Sequence, residues 1–249
     1  MFRGLDDRFS RSAALLGSEA MKRLAEARVL VVGVGGVGSW CAEALVRTGL
    51  GHITLVDDDV VAESNVNRQC PATAATVGRP KVEAMAKRLT AINPGCEVEA
   101  RNFRFSSATS ISSLSSFDLI VDAIDSVDCK AELILSATEA EVPIVSSMGA
   151  ALRLDPTKVK VTRFEKVEGD GLARALRQRF KKLGRFPRGK FSCVWSFESS
   201  VGRSVPDRRG AQGTARPTEV KGSLMQVTAV FGMCLASEAI KILTKGEAK

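Results

Sequence analysis

A chain of 249 residues with 45% hydrophobic and 26% charged positions has the composition of a folded globular protein and enough length to bury one large core. Its apolar run from Leu224 to Leu235 is short for a bilayer span and is followed by Glu238 and Lys241, and the opening residues lack an apolar signal core, so neither membrane insertion nor export is expected. The formal charge of +8 is concentrated between residues 174 and 221, where thirteen basic residues face only Glu198, Asp207 and Glu219.

The predicted elements alternate between strand and helix through the first half. Arg28–Val32 is a continuous β-branched run, as expected of a strand buried on both faces of a parallel sheet. The turn Gly33-Val34-Gly35-Gly36-Val37-Gly38 follows at once, then a helix over Ser39–Thr48 that stops at Gly49. A second strand covers Ile53–Asp57. A helix over Lys81–Ile92 places Ala84, Met85, Leu89 and Ile92 on one face and stops at Asn93-Pro94-Gly95. Further strands are predicted at Cys96–Arg101, Phe117–Asp122 and Pro143–Ser147. Repetition of this unit predicts an α/β fold, a Rossmann-like, doubly wound, mainly parallel sheet in a single domain spanning 1–249. A basic amphipathic helix is predicted over Leu172–Leu183, a long basic loop region over 185–222, and an apolar C-terminal helix over Leu224–Leu243. A loop of that length inside a compact domain points to function or to ordering by a ligand.

A glycine turn between a strand and a helix lets backbone N–H groups approach a phosphate at the positive helix end, so Gly33, Gly35, Gly36 and Gly38 are candidate nucleotide contacts. A purely structural turn is the alternative. Asp57 ends the next strand, where a carboxylate accepts from ribose hydroxyls. The segment from Asp57 to Gln69, which includes Asp59, is too polar for a plain connection. Asn65, Arg68 and Lys81 together suit a triphosphate, arginine as a fork and lysine as a point charge. Asp125 lies just past a strand's carboxyl end and suits Mg2+, which takes one or two carboxylates plus phosphate oxygens. A dinucleotide needs neither these cations nor the metal, so ATP is the expected ligand.

The six cysteines are scattered with no Cys-x-x-Cys pair, which argues against a disulfide framework and a four-cysteine zinc, and a reducing cytoplasm is the expected compartment. The lone histidine, His52, precedes the second strand and lies about 15 Å along it from the nucleotide edge, which favours a structural role. Cys193 reads as a small hydrophobe or a substrate-lining residue ahead of a nucleophile. The basic stretch suggests a polyanion, nucleic acid being the usual one, against the alternative of a solvated face.

The motifs Gly33-x-Gly35-Gly36-x-Gly38, Asp57, Ser64-Asn65-x-Asn67-Arg68-Gln69, Val77-Gly78-x-Pro80-Lys81 and Asp122-x-x-Asp125 together resemble the ThiF/MoeB superfamily, the ubiquitin-activating-type adenylating enzymes. That resemblance implies Asp57 on the ribose, Asn65, Arg68 and Lys81 on the phosphates and Asp125 at the metal. Arg8-Phe9-Ser10-Arg11 resembles the superfamily's N-terminal arm, in which an arginine such as Arg11 reaches the partner's ATP across a homodimer; an exposed helix-start charge is the alternative. Within the superfamily, the blocks Gly35–Gly49, Asp122–Val127, Leu154–Val159 and Cys193-Val194-Trp195-Ser196-x-Glu198 are similar to the tRNA threonylcarbamoyladenosine dehydratases. Absence of the two zinc-binding cysteine pairs, and Ser126 where Asn is common, separates the chain from sulfur-carrier activators, the alternative activity.

The resemblance implies ATP-dependent activation of the threonyl carboxylate as an acyl adenylate, then ring closure by the neighbouring carbamoyl group. Ring closure is intramolecular, so positioning replaces much of the need for a strong acid or base. Arg68, Lys81, Asp125 and Arg11 are the expected catalytic residues. An anticodon stem-loop is a dense polyanion, which makes Arg174, Arg177, Lys181, Lys182, Arg185, Arg188, Lys190, Arg208 and Arg209 candidate tRNA contacts. A sulfur-transfer partner of the cysteine desulfurase type is a further expectation from the family.

Overall fold

The computed structural model describes residues 6–106, 114–202, 205–206 and 219–245. Two short helices, α1 (Ser10–Leu16) and α2 (Ser18–Glu26), lead into β1 (Arg28–Val32). Then come α3 (Gly38–Thr48), β2 (His52–Val56), α4 (Lys81–Ile92), β3 (Glu97–Arg101), β4 (Leu119–Asp122), α5 (Val127–Glu139) and β5 (Ile144–Ser147). The rest comprises β6 (Val159–Arg163), α6 (Gly171–Leu183), β7 (Ser192–Ser196), the short pair β8 (Val205–Pro206) and β9 (Glu219–Val220), and α7 (Met225–Thr244).

Seven strands form one sheet in the order β3-β2-β1-β4-β5-β7-β6, parallel except for β6, which runs antiparallel to β7. Two apolar layers fill the faces. Val29, Val31, Ile53 and Leu55 point with Leu119 and Val121 toward α3, α4 and α7, while Leu30, Val32 and Ile120 point toward α5 and α6. This is why β1 reads as unbroken Val and Leu: a central strand has no solvent face, and Val29 to Val32 are buried. The order reverses at β1, whose neighbours β2 and β4 leave in opposite directions and open a crevice at their carboxyl ends.

Helix α3 ends on Gly49 at φ +112°, a left-handed position where a side chain would be strained and would press on Met21. Helix α7 is long and apolar enough to cross a membrane by length and composition, longer than the run read from the sequence. Its Val227, Phe231, Leu235, Ala236 and Ala239 are instead buried in the layer shared with α3. The two helices approach so closely that a Cβ on Gly232 would meet the Val37 carbonyl at 2.6 Å.

The expected long loop over 185–222 is corrected by β7. Ser192–Ser196 pairs with β5 on one side and β6 on the other, and Cys193, Val194 and Trp195 are buried. A short run of Ser, Cys and Trp beside a basic, Gly- and Pro-rich stretch conceals a strand whose place is set by its neighbours. Neither β6, α5 nor the two N-terminal helices is among the elements expected from the sequence.

Candidate functional site

The site forms at the carboxyl edge where β1, β2 and β4 part. Asp57, one residue beyond β2, binds the glycine turn: its Oδ2 accepts from the Val34 N–H at 2.7 Å, and its Oδ1 accepts from the Asp59 N–H at 2.9 Å. Burial raises the Asp57 pKa from its ordinary value, against the opposing attraction of Lys81. The four glycines do different work. Gly33 has φ +92° and lies so close to the next loop that a Cβ would meet the Ala123 carbonyl at 2.6 Å. A Cβ on Gly38 would meet the Gly33 carbonyl at 1.9 Å. Gly35, by contrast, has nothing nearer to its would-be Cβ than Gln69 Nε2 at 3.9 Å. The chain's own packing does not require a glycine there, whereas a ligand lying on the backbone does.

Helix α3 begins in this turn without a side-chain cap, so the positive end of its dipole lies at the crevice, with the Ser39 N–H already taken by the Gly35 carbonyl at 3.2 Å. Arg68 lies over the turn, its Cγ 3.3 Å from the would-be Cβ of Gly36, held by the Trp40 indole N–H, which donates to its carbonyl at 2.9 Å. The Arg68 guanidinium donates to the Ser64 carbonyl at 2.8 Å and to Asn67 Oδ1 at 2.9 Å. Gln69 is buried, and its Oε1 has no hydrogen-bond partner, an orphaned acceptor beside the open glycine. Lys81, at the start of α4, has a buried side chain whose Nζ pairs with Asp59 Oδ2 at 2.6 Å.

The structure therefore brings together Gly33, Gly35, Gly36, Gly38, Asp57, Asp59, Arg68, Gln69 and Lys81. Asn65 stands nearby, with its Oδ1 accepting from the Ala62 N–H at 3.1 Å, a local turn contact. Asp125 is exposed in the loop after β4, adjoining the glycine turn through Ala123. The carboxylates of Asp57, Asp58 and Asp59 lie within 4.8 Å of one another. The donor set fits a divalent cation held jointly with phosphate oxygens: hard carboxylates, Asp58 and Asp59 exposed and Asp57 half-buried, beside the uncapped helix start.

Other expected residues lie elsewhere. Arg11 is exposed on α1, which sits with Phe9 against Gly49 at the opposite, amino edge of the sheet. His52 Nδ1 lies 3.0 Å from Glu97 Oε2 at that same edge, beside a cavity of about 320 Å³ remote from the glycine turn. Cys193 is wholly buried in β7, where burial pushes its thiol far up, so the expected substrate-lining role is corrected: it presents no surface to a ligand. Arg174, Lys181, Lys182, Arg185, Arg188 and Lys190 are exposed on α6 and beyond it, while Arg177 is half-buried. Arg208 and Arg209 lie outside the described residues.

Sequence reasoning missed the group beneath the Asp125 loop. Asp122 and Lys130 are wholly buried and paired at 2.7 Å. Ser146 Oγ donates to Asp122 Oδ2 at 2.6 Å, the Ile124 N–H to Asp122 Oδ1 at 3.1 Å, and Lys130 Nζ to the Ile124 carbonyl at 2.9 Å. The sequence held one signal for it: a lysine set among Ala131, Leu133, Ile134 and Leu135, where a surface cation does not belong.

An anion-receptive helix start, an orphaned acceptor and two cations gathered at the switch point of a doubly wound sheet mark a nucleotide-binding α/β protein. The chain belongs to the ThiF family, which it matches over residues 9–249. It is 39% identical to the tRNA threonylcarbamoyladenosine dehydratase of Escherichia coli over 94% of this chain and 92% of that one. It is 37% identical to the molybdopterin-synthase adenylyltransferase of the same organism over 66% of this chain and 63% of that one. The crystal structure of the E. coli dehydratase in complex with ATP superposes with a TM-score of 0.83 at 38% identity, covering 95% of this chain and 93% of that one.

Proposed function

We propose that the chain is a tRNA threonylcarbamoyladenosine dehydratase that uses ATP to close the threonylcarbamoyl side chain of a tRNA adenosine into a ring with loss of water. The observation that carries this reading is the gathering of Arg68, Gln69 and Lys81 on an open glycine turn, in a chain similar to such an enzyme along nearly its whole length. The threonyl carboxylate is a poor electrophile because its oxygen leaves badly. Attack of that oxygen on the α-phosphorus of ATP forms an acyl adenylate and expels pyrophosphate. The carbamoyl group then attacks the acyl carbon and AMP departs, so ATP hydrolysis to AMP and pyrophosphate drives the dehydration.

In this reading the glycine-turn N–H groups and the α3 start receive phosphate oxygens, with Asp57 on the ribose and Asn65 near the phosphates. Arg68 and Lys81 stabilise the charge that grows on the phosphoryl group, Lys81 exchanging its contact with Asp59 for the ligand. Mg2+, when bound, would neutralise phosphate charge, and Asp125 would hold it. A homodimer with Arg11 acting on the partner's nucleotide, a cysteine desulfurase-type partner and a cytoplasmic location belong to the same reading. The six free thiols suit a reducing compartment.

The test is mass spectrometry of nucleosides from tRNA bearing threonylcarbamoyladenosine, after incubation with the protein, ATP and Mg2+. A nucleoside lighter by one water is expected, dependent on ATP, abolished by chelating the metal and reduced at least a hundredfold by Arg68→Ala. Unchanged tRNA alongside pyrophosphate release stimulated by a small carrier protein would overturn the assignment.

A further inference from the structure

The cations on and after α6 divide into two groups. Arg177 donates to the Phe164 and Val167 carbonyls, Arg179 pairs with Asp128 at 2.8 Å, and Arg185 pairs with Glu139 at 3.0 Å. These hold the fold together. Lys181, Lys182, Arg188 and Lys190 are exposed and pair with no carboxylate among the described residues.

The second group sits far from the nucleotide. Helix α6 starts at the carboxyl edge, where its cap Asp170 accepts from the Gly149 N–H at 3.2 Å just past β5. Its thirteen residues run about 20 Å to the other edge. There the Arg188 N–H donates to Thr138 Oγ1 at 3.1 Å, at the end of α5. Arg174, Gln178, Lys181 and Lys182 are exposed at helical spacing and line the outer face between the two edges. Phe186 stands beyond them, 61% exposed, with no ring stacked on it and no cation over it among the described residues. Exposed Phe197 differs, since Lys160 Nζ covers it at 4.1 Å.

We propose that the outer face of α6 is a track for the tRNA backbone ending in a distal clamp, with Lys181, Lys182, Arg188 and Lys190 on phosphates and Phe186 stacked on an unpaired base. This rests on the dehydratase reading and deepens it. At roughly 3.4 Å per step along a strand, 20 Å is about six nucleotides. Counted from a nucleoside in the anticodon loop, that reach spans the stem, so the clamp holds the unpaired junction just beyond the anticodon stem-loop, while the reacting nucleoside enters at the carboxyl edge. Unpaired cations in a line match phosphates, and an open aromatic face matches a base of any identity. Insertion into a membrane is disfavoured, because Ala173, Leu176 and Phe180 turn the apolar side of α6 inward and leave a single ring outside.

The experiment measures binding of full-length tRNA and of an anticodon stem-loop hairpin by fluorescence anisotropy across a salt series. The wild type should bind the full tRNA more tightly than the hairpin. The quadruple change Lys181→Gln, Lys182→Gln, Arg188→Gln and Lys190→Gln should erase that difference and lower the slope of log K against log salt by about 3.6. Should it fold poorly, Lys182→Gln and Arg188→Gln alone should each lower the slope by about 0.9. Phe186→Ala should weaken full-length binding about tenfold with the slope unchanged, and Phe186→Trp should restore it. Wild-type tRNA binding that survives these changes overturns the clamp and leaves the dehydratase reading standing. A wild type that binds no tRNA at all overturns both. Binding of phosphatidylglycerol vesicles that needs these four cations, with tRNA binding indifferent to them, also overturns the clamp.

Discussion

Gly33 and Gly35 stand two residues apart in one turn, and the structure asks different things of them. At Gly33 a Cβ meets backbone at 2.6 Å in a left-handed conformation, so Gly33→Ala should destabilise the fold by about 2–3 kcal/mol in urea denaturation. At Gly35 there is room, so Gly35→Ala should leave stability within about 1 kcal/mol and weaken ATP binding at least tenfold by calorimetry. Equal losses of stability at the two positions would remove the argument that Gly35 serves the ligand. The Asp122–Lys130 pair sets a second contrast. Lys130→Met strands a buried carboxylate and should cost about 3–5 kcal/mol. Adding Asp122→Leu should recover part of that stability while the Asp125 loop loses its anchor. A double variant no more stable than Lys130→Met would mean the pair is not what the single change broke.

Between elements, Glu43 ties α3 to α4. Its buried carboxylate accepts from Arg47 of the same helix at 2.8 Å, from Arg88 of α4 at 2.5 Å and from the Cys70 thiol at 2.8 Å. Burial pushes Glu43 up, but the hydrogen bonds from Arg88, Cys70 and Arg47 together outweigh it and hold its pKa at about 2, below the ordinary 4.5. A carboxylate depressed in the folded state contributes stability that is present above pH 4.5 and lost as pH falls toward 2. Glu43→Gln should flatten that acid limb of the stability profile. At neutral pH it should cost about 2 kcal/mol, less than a fully buried pair because Arg47 and Arg88 are 56% and 41% exposed. An unchanged acid limb in the variant would assign the acid sensitivity to other groups. The same cluster pushes the Cys70 thiol up to about 12, chiefly by burial, so it should resist alkylation at neutral pH.

Across the whole molecule, the two sheet edges divide the work. Nucleotide residues gather at the carboxyl edge, whereas Arg11, His52 and the proposed clamp lie at the amino edge. Within one chain Arg11 therefore does not join the glycine turn. If it acts on a partner's nucleotide, mixing inactive Arg11→Ala and Arg68→Ala chains should regenerate active sites and restore measurable dehydration. No recovery in mixed dimers would remove Arg11 from catalysis.

The nucleotide half of this arrangement was legible in the chain because its signals are local. A β-branched run, a glycine turn, a carboxylate at the next strand end and two cations near a helix start each declare themselves within a few residues, and the parallel sheet follows from their repetition. What only the tertiary structure decided depends on residues far apart in sequence. Ser192–Ser196 becomes a strand because β5 and β6 leave it a slot, and Cys193 is thereby buried. Lys130 becomes an anchor because folding sets Asp122 and Ser146 around it, and Arg177, Arg179 and Arg185 are separated from their free neighbours by the carbonyls and carboxylates that folding brings to them. Charge and hydropathy are properties of a residue. Whether a charge meets a partner or a ligand is a property of distance, which the chain acquires only on folding.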